Sequence, residues 1–230
     1  MCSEISSIVS KQRVQDHGEV FTPNELVGQM LNLVSSECER EDSRFLEPAC
    51  GNGNFLAEVL QRRLTNVTIR HRSQTQWEVH ALLGLSCLYG IELLPDNVGV
   101  CRQRLVDIFM NHYTSLFTDK INFDVQRAAH TIMSVNIILG DALAMTSEEL
   151  GRKGQPILMT EWALVGRGYF KRSVYEYNGL SPLDHGENGS LFDSPRNEIS
   201  DEEGNMVFIP RHIYDLPLVH YTKLEEVSRQ

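Results

Sequence analysis

The segment Phe45-Leu46-Glu47-Pro48-Ala49-Cys50-Gly51-Asn52-Gly53-Asn54-Phe55 carries the strongest structural signal in this chain of 230 residues. A short apolar run ends in an acid, and a proline and two glycines then lead into an amphipathic helical pattern. This order predicts a strand, a tight loop and a helix start, where α/β folds bind nucleotide-like ligands. Glycines at 51 and 53 permit positive φ and close approach of the backbone to a ligand. The spacing differs from G-x-G-x-x-G, because Phe55 and Leu56 follow the second glycine.

The composition is that of an ordinary globular chain with an acidic balance. Hydrophobic residues make up 41% and charged residues 23% of the sequence. The chain has 21 Lys and Arg against 31 Asp and Glu, which gives a formal net charge of −10. A protein that held nucleic acid by itself would need a basic surface to displace counterions. The charge therefore disfavours autonomous binding to nucleic acid.

Cysteine, histidine and hydropathy patterns exclude several further classes. Five cysteines form an odd set without a C-x-x-C pair, and the eight histidines are scattered without an H-E-x-x-H sequence. These patterns predict neither a disulfide framework nor a metal site. No apolar run approaches the length of a membrane span, and the N-terminus lacks the apolar region of a signal peptide. We therefore expect a cytoplasmic protein with no membrane partner.

Apolar periodicity predicts alternating helices and strands. The first helix is predicted from Thr22 to about Glu39, with Thr22 as N-cap, Pro23 at the first helical position and Glu25 completing a capping box. Further helices are predicted at 54–64, 77–86, 95–109 and 123–133, and strands at 45–48, 88–92, 135–139, 156–160, 206–210 and 218–222. This alternation predicts an α/β fold with a mainly parallel sheet, helices on both faces and a helix before the first strand.

Changes in composition divide the chain into four regions. Residues 1–17 are polar and are predicted to be a flexible N-terminus, and 18–177 form the main domain. The stretch 178–205 is rich in Gly, Asn, Ser, Pro and acidic residues, which predicts an exposed loop. Residues 206–230 are predicted to be a short C-terminal extension.

Acidic residues stand at the ends of three successive predicted strands. Glu47 ends the first strand, Glu92 ends the second, and Asp141 follows the third. An acid at the end of the second strand can accept hydrogen bonds from ribose hydroxyls, as in dinucleotide folds. Each acid taken alone is more often a helix cap or a solvated loop residue. Their repetition after a glycine loop favours a ligand site.

The segment 46–55 resembles the S-adenosylmethionine-binding motif of amino-directed DNA methyltransferases, roughly (L)-(E/D)-P-(A/S)-C-G-x-G-x-F. Phe21-Thr22-Pro23 is similar to a family motif whose residues close over the methionine tail, although a plain capping box would also explain it. Residues 88–93 resemble the ribose-acid motif, and 136–143 resemble the motif that ends in an adenine-contacting Asp. The likeness spans 18–143 in the motif order of adenine-directed modification subunits.

The resemblance implies a class I methyltransferase fold of the Rossmann-like type with S-adenosylmethionine as cofactor. The cofactor-binding positions that it implies are Phe21, Thr22, Pro23, Glu47, Pro48, Ala49, Cys50, Gly51, Gly53, Asn54, Phe55, Glu92, Leu93, Asp141 and Ala142. Glu47 would hold the methionine ammonium, Glu92 the ribose and Asp141 the adenine amine. The implied reaction is methyl transfer to an adenine amine of DNA, by the modification component of a restriction–modification or phage-defence system.

The likeness breaks at the catalytic motif. The family carries (D/N)-P-P-(Y/F) after the fourth strand, where carbonyl oxygens accept the amine hydrogens and the aromatic ring stacks on the flipped base. This sequence has no such motif, and Thr160, Glu161 and Trp162 stand at the corresponding position. They are the candidate catalytic residues, with Glu161 as acceptor and Trp162 as stacking ring. The alternative is a strand end whose aromatic residue packs locally.

Two further interpretations stay open. The chain could be a catalytically degenerate S-adenosylmethionine-binding subunit with a structural or regulatory role, which the missing motif and the acidity favour. It could also methylate RNA, protein or a small molecule, because a fold does not specify its substrate. Both as a DNA methyltransferase and as a degenerate subunit, the chain is expected to reach DNA through a partner subunit or recognition domain, within an oligomer or a larger defence complex.

Overall fold

The computed structural model of the protein describes residues 22–118, 120–177, 198–200, 206–208 and 211–227. The helices are α1 (Asn24–Asn32), α2 (Ser35–Glu39), α3 (Asn54–Arg70), α4 (Gln74–Ser86), α5 (Pro95–Leu116), α6 (Phe123–Asn136) and α7 (Leu224–Val227), with a 3₁₀ turn at Tyr221–Lys223. The strands are β1 (Phe45–Glu47), β2 (Leu88–Glu92), β3 (Ile137–Asp141), β4 (Thr146–Ser147), β5 (Leu158–Leu164), β6 (Tyr169–Glu176), β7 (Glu198–Ser200), β8 (Met206–Phe208) and β9 (Arg211–His220). Helices thus separate the strands up to β3, and mainly antiparallel strands follow.

The first three strands form a parallel sheet in the order β1-β2-β3, and the short strand β4 joins β3 in antiparallel orientation. Leu46 lies opposite Tyr89, and Ile91 lies opposite Ile138. Every residue of β2 is buried, whereas β1 is only half-buried. Among the described strands β1 pairs with β2 alone, so it forms an edge of this sheet. The predicted mixed α/β fold with a mainly parallel sheet is confirmed.

The two faces of the parallel sheet have different coverings. One face contributes Leu88 and Ile137 to the main core, which also contains buried residues of α1 to α6. On the other face, Ile91 and Ile138 pack against Ile157 and Tyr177 in a separate cluster that contains no helical residue. Successive right-handed crossovers in the order β1-β2-β3 bring the connecting helices to one side of the sheet. The expected helices on both faces are therefore not observed in the described part of the chain.

The segment predicted as a fourth parallel strand begins a separate antiparallel sheet instead, so that prediction is wrong. Strand β5 pairs with β6, and β6 pairs with β9. The turn between β5 and β6 contains Gly166 and Gly168, both with positive φ. A connection this short joins antiparallel neighbours, because a parallel pair needs a long crossover. Val219, Tyr221 and Leu224 enter the main core, so the 211–227 segment packs into the same body.

The boundaries of the N-terminal helices differ from the predicted ones. The chain turns after Asn32, and α2 follows as a separate short helix. Pro23 is the N-cap of α1, and no side chain caps that helix, so the predicted capping box is wrong. In contrast, α3 continues past Leu64 to Arg70, because its core-facing side remains apolar at the fully buried Val67.

Several expectations lie outside the described residues, among them the flexible segment 1–17, the methionine-tail residue Phe21 and most of the 178–205 loop. Within that loop region, Glu198–Ser200 forms β7 and pairs with β8 in antiparallel orientation. None of the helices in the described ranges combines the length and the apolar character needed to cross a membrane.

Candidate functional site

The glycine loop between β1 and α3 is folded tightly against the end of β2. Gly51 and Gly53 have φ values of 52° and 84°. The N–H of Cys50 donates to the carbonyl of Ile91 over 3.0 Å, and the N–H of Gly53 donates to the carbonyl of Cys50 over 2.8 Å. Gly53 is the N-cap of α3, and no side chain caps this helix. The first N–H groups of α3 therefore remain for an anionic or polar ligand group.

Glu92 is held beneath this loop by three donors. Its carboxylate accepts hydrogen bonds from the N–H of Gly51 (2.9 Å), the N–H of Leu94 (3.0 Å) and the side-chain amide of Asn97 (3.3 Å). The residue is only 8% exposed. A carboxylate has about four acceptor positions, so three donors leave one for a ligand hydroxyl. The geometry thus fixes both the position and the rotamer of this acid.

The other two strand-end acids differ in their surroundings. Burial raises the pKa of the Glu47 carboxyl, although the backbone N–H of Ala49 acts in the opposite direction. Asp141 Oδ1 closes the turn after β3 by accepting from the N–H groups of Leu143 and Ala144, each at 2.9 Å. Together with Glu92 they lie at the carboxyl ends of three neighbouring strands, as their positions in the sequence predict.

Arg104 is a residue of this site that the sequence analysis missed. Its Nη1 donates to Asn54 Oδ1 at 2.5 Å and to the carbonyl of Asn52 at 3.4 Å. These hydrogen bonds connect α5 to the side of the glycine loop. The amide of Asn54 also donates to the carbonyl of Thr22 at 3.0 Å. Burial lowers the pKa of Arg104. In the sequence, Arg104 is marked only by its position on a predicted helix, close to the apolar positions Cys101 and Leu105.

The side chain of Cys50 packs beneath the loop. It is buried, and a Cβ added at Gly90 would lie 2.7 Å from its Sγ. A hydrogen bond with Cys101 and burial both raise the pKa of the Cys50 thiol. A Cβ added at Gly53 would likewise lie 2.7 Å from Cys101 Sγ. Cys50, Cys101, Gly53 and Gly90 thus pack closely together. Cys50 contributes to the loop through its backbone N–H and carbonyl groups.

The remaining predicted cofactor positions that the structure describes differ in their surroundings. Pro48 and Ala49 form the turn after β1, Phe55 packs its ring partly against the main core, and Ala142 packs against the smaller apolar cluster. Leu93 is half-exposed immediately after Glu92. Pro23 is exposed and precedes α1.

Trp162, Thr160 and Glu161 lie at the other end of the parallel sheet, so their expected position near the glycine loop is wrong. The indole N–H of Trp162 donates to Asn136 Oδ1 at 2.9 Å, and the Asn136 amide donates to the carbonyl of Leu88 at 3.0 Å. Leu88 begins β2 and Asn136 immediately precedes β3, so these contacts mark the amino ends of the strands.

The neighbours of Thr160 and Glu161 agree with this placement. Tyr89 Oη donates to the carbonyl of Thr160 at 3.0 Å, and Glu161 forms an ion pair with Arg44, which precedes β1. The Trp162 ring is 2% exposed and stands edge-on to Phe170. A buried ring of this kind is not available for stacking on a base. The alternative stated from the sequence, an aromatic residue that packs locally, describes it correctly.

Comparison with known proteins finds a family model that is similar to the N-terminal part of the chain. Residues 6–105 match the family model described as N-6 DNA Methylase. The matched part includes α1 to α4, β1, β2, the glycine loop, Glu92 and Arg104. The matched part is less than half of the 230 residues, and over that part the chain is similar to the N-6 DNA methylases. No curated protein and no solved structure matches the chain.

Proposed function

We propose that this protein is the S-adenosylmethionine-binding component of a DNA adenine methyltransferase, acting as the modification component of a restriction–modification or phage-defence system. The observation that carries the proposal is the hydrogen bond between the glycine loop and Glu92. The loop would receive the methionine part of the cofactor, and Glu92 would bind its ribose. The family match over residues 6–105 includes both elements. Pro48, Ala49 and Cys50 belong to the same loop, and Asn54 and Phe55 follow it at the start of α3.

The chemistry of the site fits the groups of S-adenosylmethionine. The uncapped N-terminus of α3 suits the methionine carboxylate, since helix N-termini attract anions. Glu47 suits the ammonium group, and the remaining acceptor position of Glu92 suits a ribose hydroxyl. Asp141 Oδ2 suits the adenine amine, and the half-exposed Leu93 offers apolar surface to the ring. The cofactor itself would supply the electrophilic methyl group.

We further propose that a partner chain supplies the groups that activate the target amine and most of the contacts that bind DNA. The sequence has no (D/N)-P-P-(Y/F) motif, Thr160, Glu161 and Trp162 lie away from the glycine loop, and the net charge is −10. Among the described strands one edge of β1 has no neighbour, and this edge offers a place for such a partner, since unpaired backbone groups of an edge strand accept an added strand. A parallel strand added there would end beside the glycine loop.

The second candidate function is a catalytically degenerate cofactor-binding subunit. The buried Trp162 ring favours it, because the segment at the position of the family's catalytic motif is part of the core. The two candidates agree on cofactor binding and differ on turnover by the assembled complex. Turnover in the presence of the products of neighbouring genes therefore separates them.

Isothermal titration of the isolated chain with S-adenosylmethionine and with its demethylated product tests the common claim. We expect one ligand per chain, and failure of both ligands to bind would overturn the proposal. In a mobility-shift assay the isolated chain should bind duplex DNA only weakly and with strong salt sensitivity. Tight, sequence-specific binding at physiological salt would contradict the partner requirement.

A methyl-transfer assay then locates the catalytic groups. The isolated chain should transfer no labelled methyl group to DNA, and the complex with neighbouring gene products should transfer it to adenine. If the isolated chain transferred methyl groups and its Glu161→Ala variant did not, the catalytic residues would lie in the segment 160–162 after all. If the complex transferred no methyl group although this chain still bound the cofactor, the result would support the catalytically degenerate subunit.

A further inference from the structure

A second polar cluster lies at the far end of α3 from the glycine loop. It consists of Glu41 in the turn before β1, His71 at the C-cap of α3 and His80 on α4. The 17 residues of α3 span about 25 Å at 1.5 Å per residue, which separates this cluster from the proposed cofactor site. The family match and the proposed function give these three residues no role.

The two histidines converge on one carboxylate. His71 Nε2 lies 2.7 Å from Glu41 Oε1, and His80 Nδ1 is in hydrogen-bond contact with Glu41 Oε2. The two imidazole rings are stacked, with centroids 3.7 Å apart and an angle of 8° between their planes. The side chains of Glu41, His71 and His80 are 12%, 19% and 30% exposed, so solvent reaches the cluster although all three are largely covered.

The ligand types in this cluster indicate a particular class of cation. Two imidazole nitrogens and a carboxylate oxygen suit Zn²⁺ and its neighbours among the divalent transition metals, whereas Mg²⁺ and Ca²⁺ prefer oxygen ligands alone. The three ligand atoms lie within 4.8 Å of one another. Zinc binds such atoms at about 2.0–2.2 Å, so modest side-chain rotations are enough to bring them around one ion.

The hydrogen bonds of the cluster already direct one nitrogen of each imidazole at the Glu41 carboxylate. A metal ion would replace the hydrogen-bonded protons between these atoms. In the absence of metal the same geometry is satisfied by hydrogen bonds, so the site does not require metal for its assembly.

We infer that Glu41, His71 and His80 form a structural binding site for one divalent transition metal ion of the zinc class, with solvent completing its coordination. The three ligands come from three different segments, so a bound ion would cross-link the turn before β1, the end of α3 and α4. The ion would thereby hold β1 and α3 from the end that is remote from the glycine loop. This inference does not depend on the proposed function.

The test uses the full chain after dialysis against a chelator. Titration with Zn²⁺ in a calorimeter should give one ion per chain, and Co²⁺ should give visible absorption bands of a low-symmetry nitrogen and oxygen site. His71→Gln and His80→Gln should each weaken Zn²⁺ binding by roughly 100-fold, at least as much as loss of a supporting residue around a metal site. Zn²⁺ should raise the Tm of the wild type and not that of the double variant.

The matched control is His130→Gln, because His130 is an exposed histidine on α6 outside the cluster. This variant should bind Zn²⁺ like the wild type. Circular dichroism of the metal-free variants checks their fold, and Glu41→Gln gives a variant that keeps both imidazoles. Unchanged affinity in the His71→Gln, His80→Gln double variant, or no stoichiometric binding by the wild type, would overturn the inference and leave a hydrogen-bonded cluster only.

Discussion

The backbone N–H of Gly51 donates a hydrogen bond of 2.9 Å to the carboxylate of Glu92, 41 residues further along the chain. This bond joins the loop after β1 to the end of β2, and each partner restricts the other. The loop gains an acceptor for an N–H group that its tight turn would leave unpaired, and the carboxylate gains a fixed direction. A ligand therefore meets a loop and an acid that are already oriented.

Replacement of Glu92 should weaken cofactor binding. Glu92→Ala removes the proposed ribose acceptor and leaves the Gly51 N–H without its partner, so S-adenosylmethionine affinity should fall by about 1–3 kcal/mol. Glu92→Gln keeps one acceptor oxygen and should lose less. Isothermal titration measures both, with Asp107→Ala as the control, since Asp107 is an exposed acid on α5. Equal affinities in Glu92→Ala and the wild type would contradict the proposed site.

Arg104→Ala tests the side support of the loop. The substitution removes the charged donor to Asn54 and to the Asn52 carbonyl, so the loop should lose its fixed position. We expect S-adenosylmethionine affinity to fall by about 1.5–3 kcal/mol, the typical value of a hydrogen bond to a charged group. The control Gln103→Ala changes an exposed neighbour on the same helix and should have no effect. A loss of affinity in both variants would point to helix damage instead.

Gly53→Ala should destabilise the fold more than Gly154→Ala, although both glycines have positive φ. The added methyl group would meet Cys101 Sγ at 2.7 Å, in addition to the strain of φ 84°. Gly154 has a φ of 77° with nothing within 4 Å of an added Cβ, so Gly154→Ala isolates the strain alone. We expect losses in the free energy of unfolding of about 1 kcal/mol for Gly154→Ala and about 2–4 kcal/mol for Gly53→Ala. Urea denaturation measures both, and equal losses would show that Cys101 moves freely.

Trp162→Ala should reduce stability without affecting cofactor binding. The ring is buried and its N–H satisfies Asn136, so we expect a loss of about 3–5 kcal/mol in the free energy of unfolding. Trp162→Phe keeps most of the packing and should lose less. Phe123→Ala is the control, because the Phe123 ring is 66% exposed and its removal should change stability by less than about 0.5 kcal/mol. A folded Trp162→Ala variant with impaired S-adenosylmethionine binding would place the ring at the cofactor site.

Cys50 should resist alkylation at every pH at which the protein is folded. Its pKa lies above the ordinary thiol value, because the bond to Cys101 and burial favour the protonated form. Thiolate is the reactive species, and its fraction rises with pH only as the pKa is approached. Native chain treated with iodoacetamide between pH 7 and pH 9 should leave Cys50 unmodified in peptide mass spectra, and denatured chain should be modified fully. Rapid modification of Cys50 in the native chain would show that the loop opens.

The local structure around the glycine loop could be predicted from the sequence because its causes are local. Positive φ at Gly51 and Gly53 and the apolar spacing of α3 depend on residues close in the chain. The acids Glu47 and Glu92 could be assigned to strand ends for the same reason. Partners from distant segments have no such signal, which is why Arg104 was missed.

The apolar pattern of the first helix shows where local prediction ends. Leu26, Val27, Met30 and Leu31 all stand at helical spacing, yet Val27 and Leu31 are buried whereas Leu26 and Met30 remain exposed. The spacing predicts a helix with an apolar side. Which part of that side is covered depends on the position of α3, a contact that the first helix does not encode.

The sequence by itself determined the order of helices and strands up to β3, the glycine loop and the acids at the strand ends, because periodicity and backbone preference act over a few residues. Only the tertiary structure decided the direction of β5, the burial of Trp162 and the meeting of Glu41, His71 and His80. The strand pattern of 158–164 is the same for parallel and antiparallel pairing, and only the short turn to β6 selects the antiparallel sheet. Glu41 is 30 residues from His71 along the chain, and the packing of α3 and α4 brings them together.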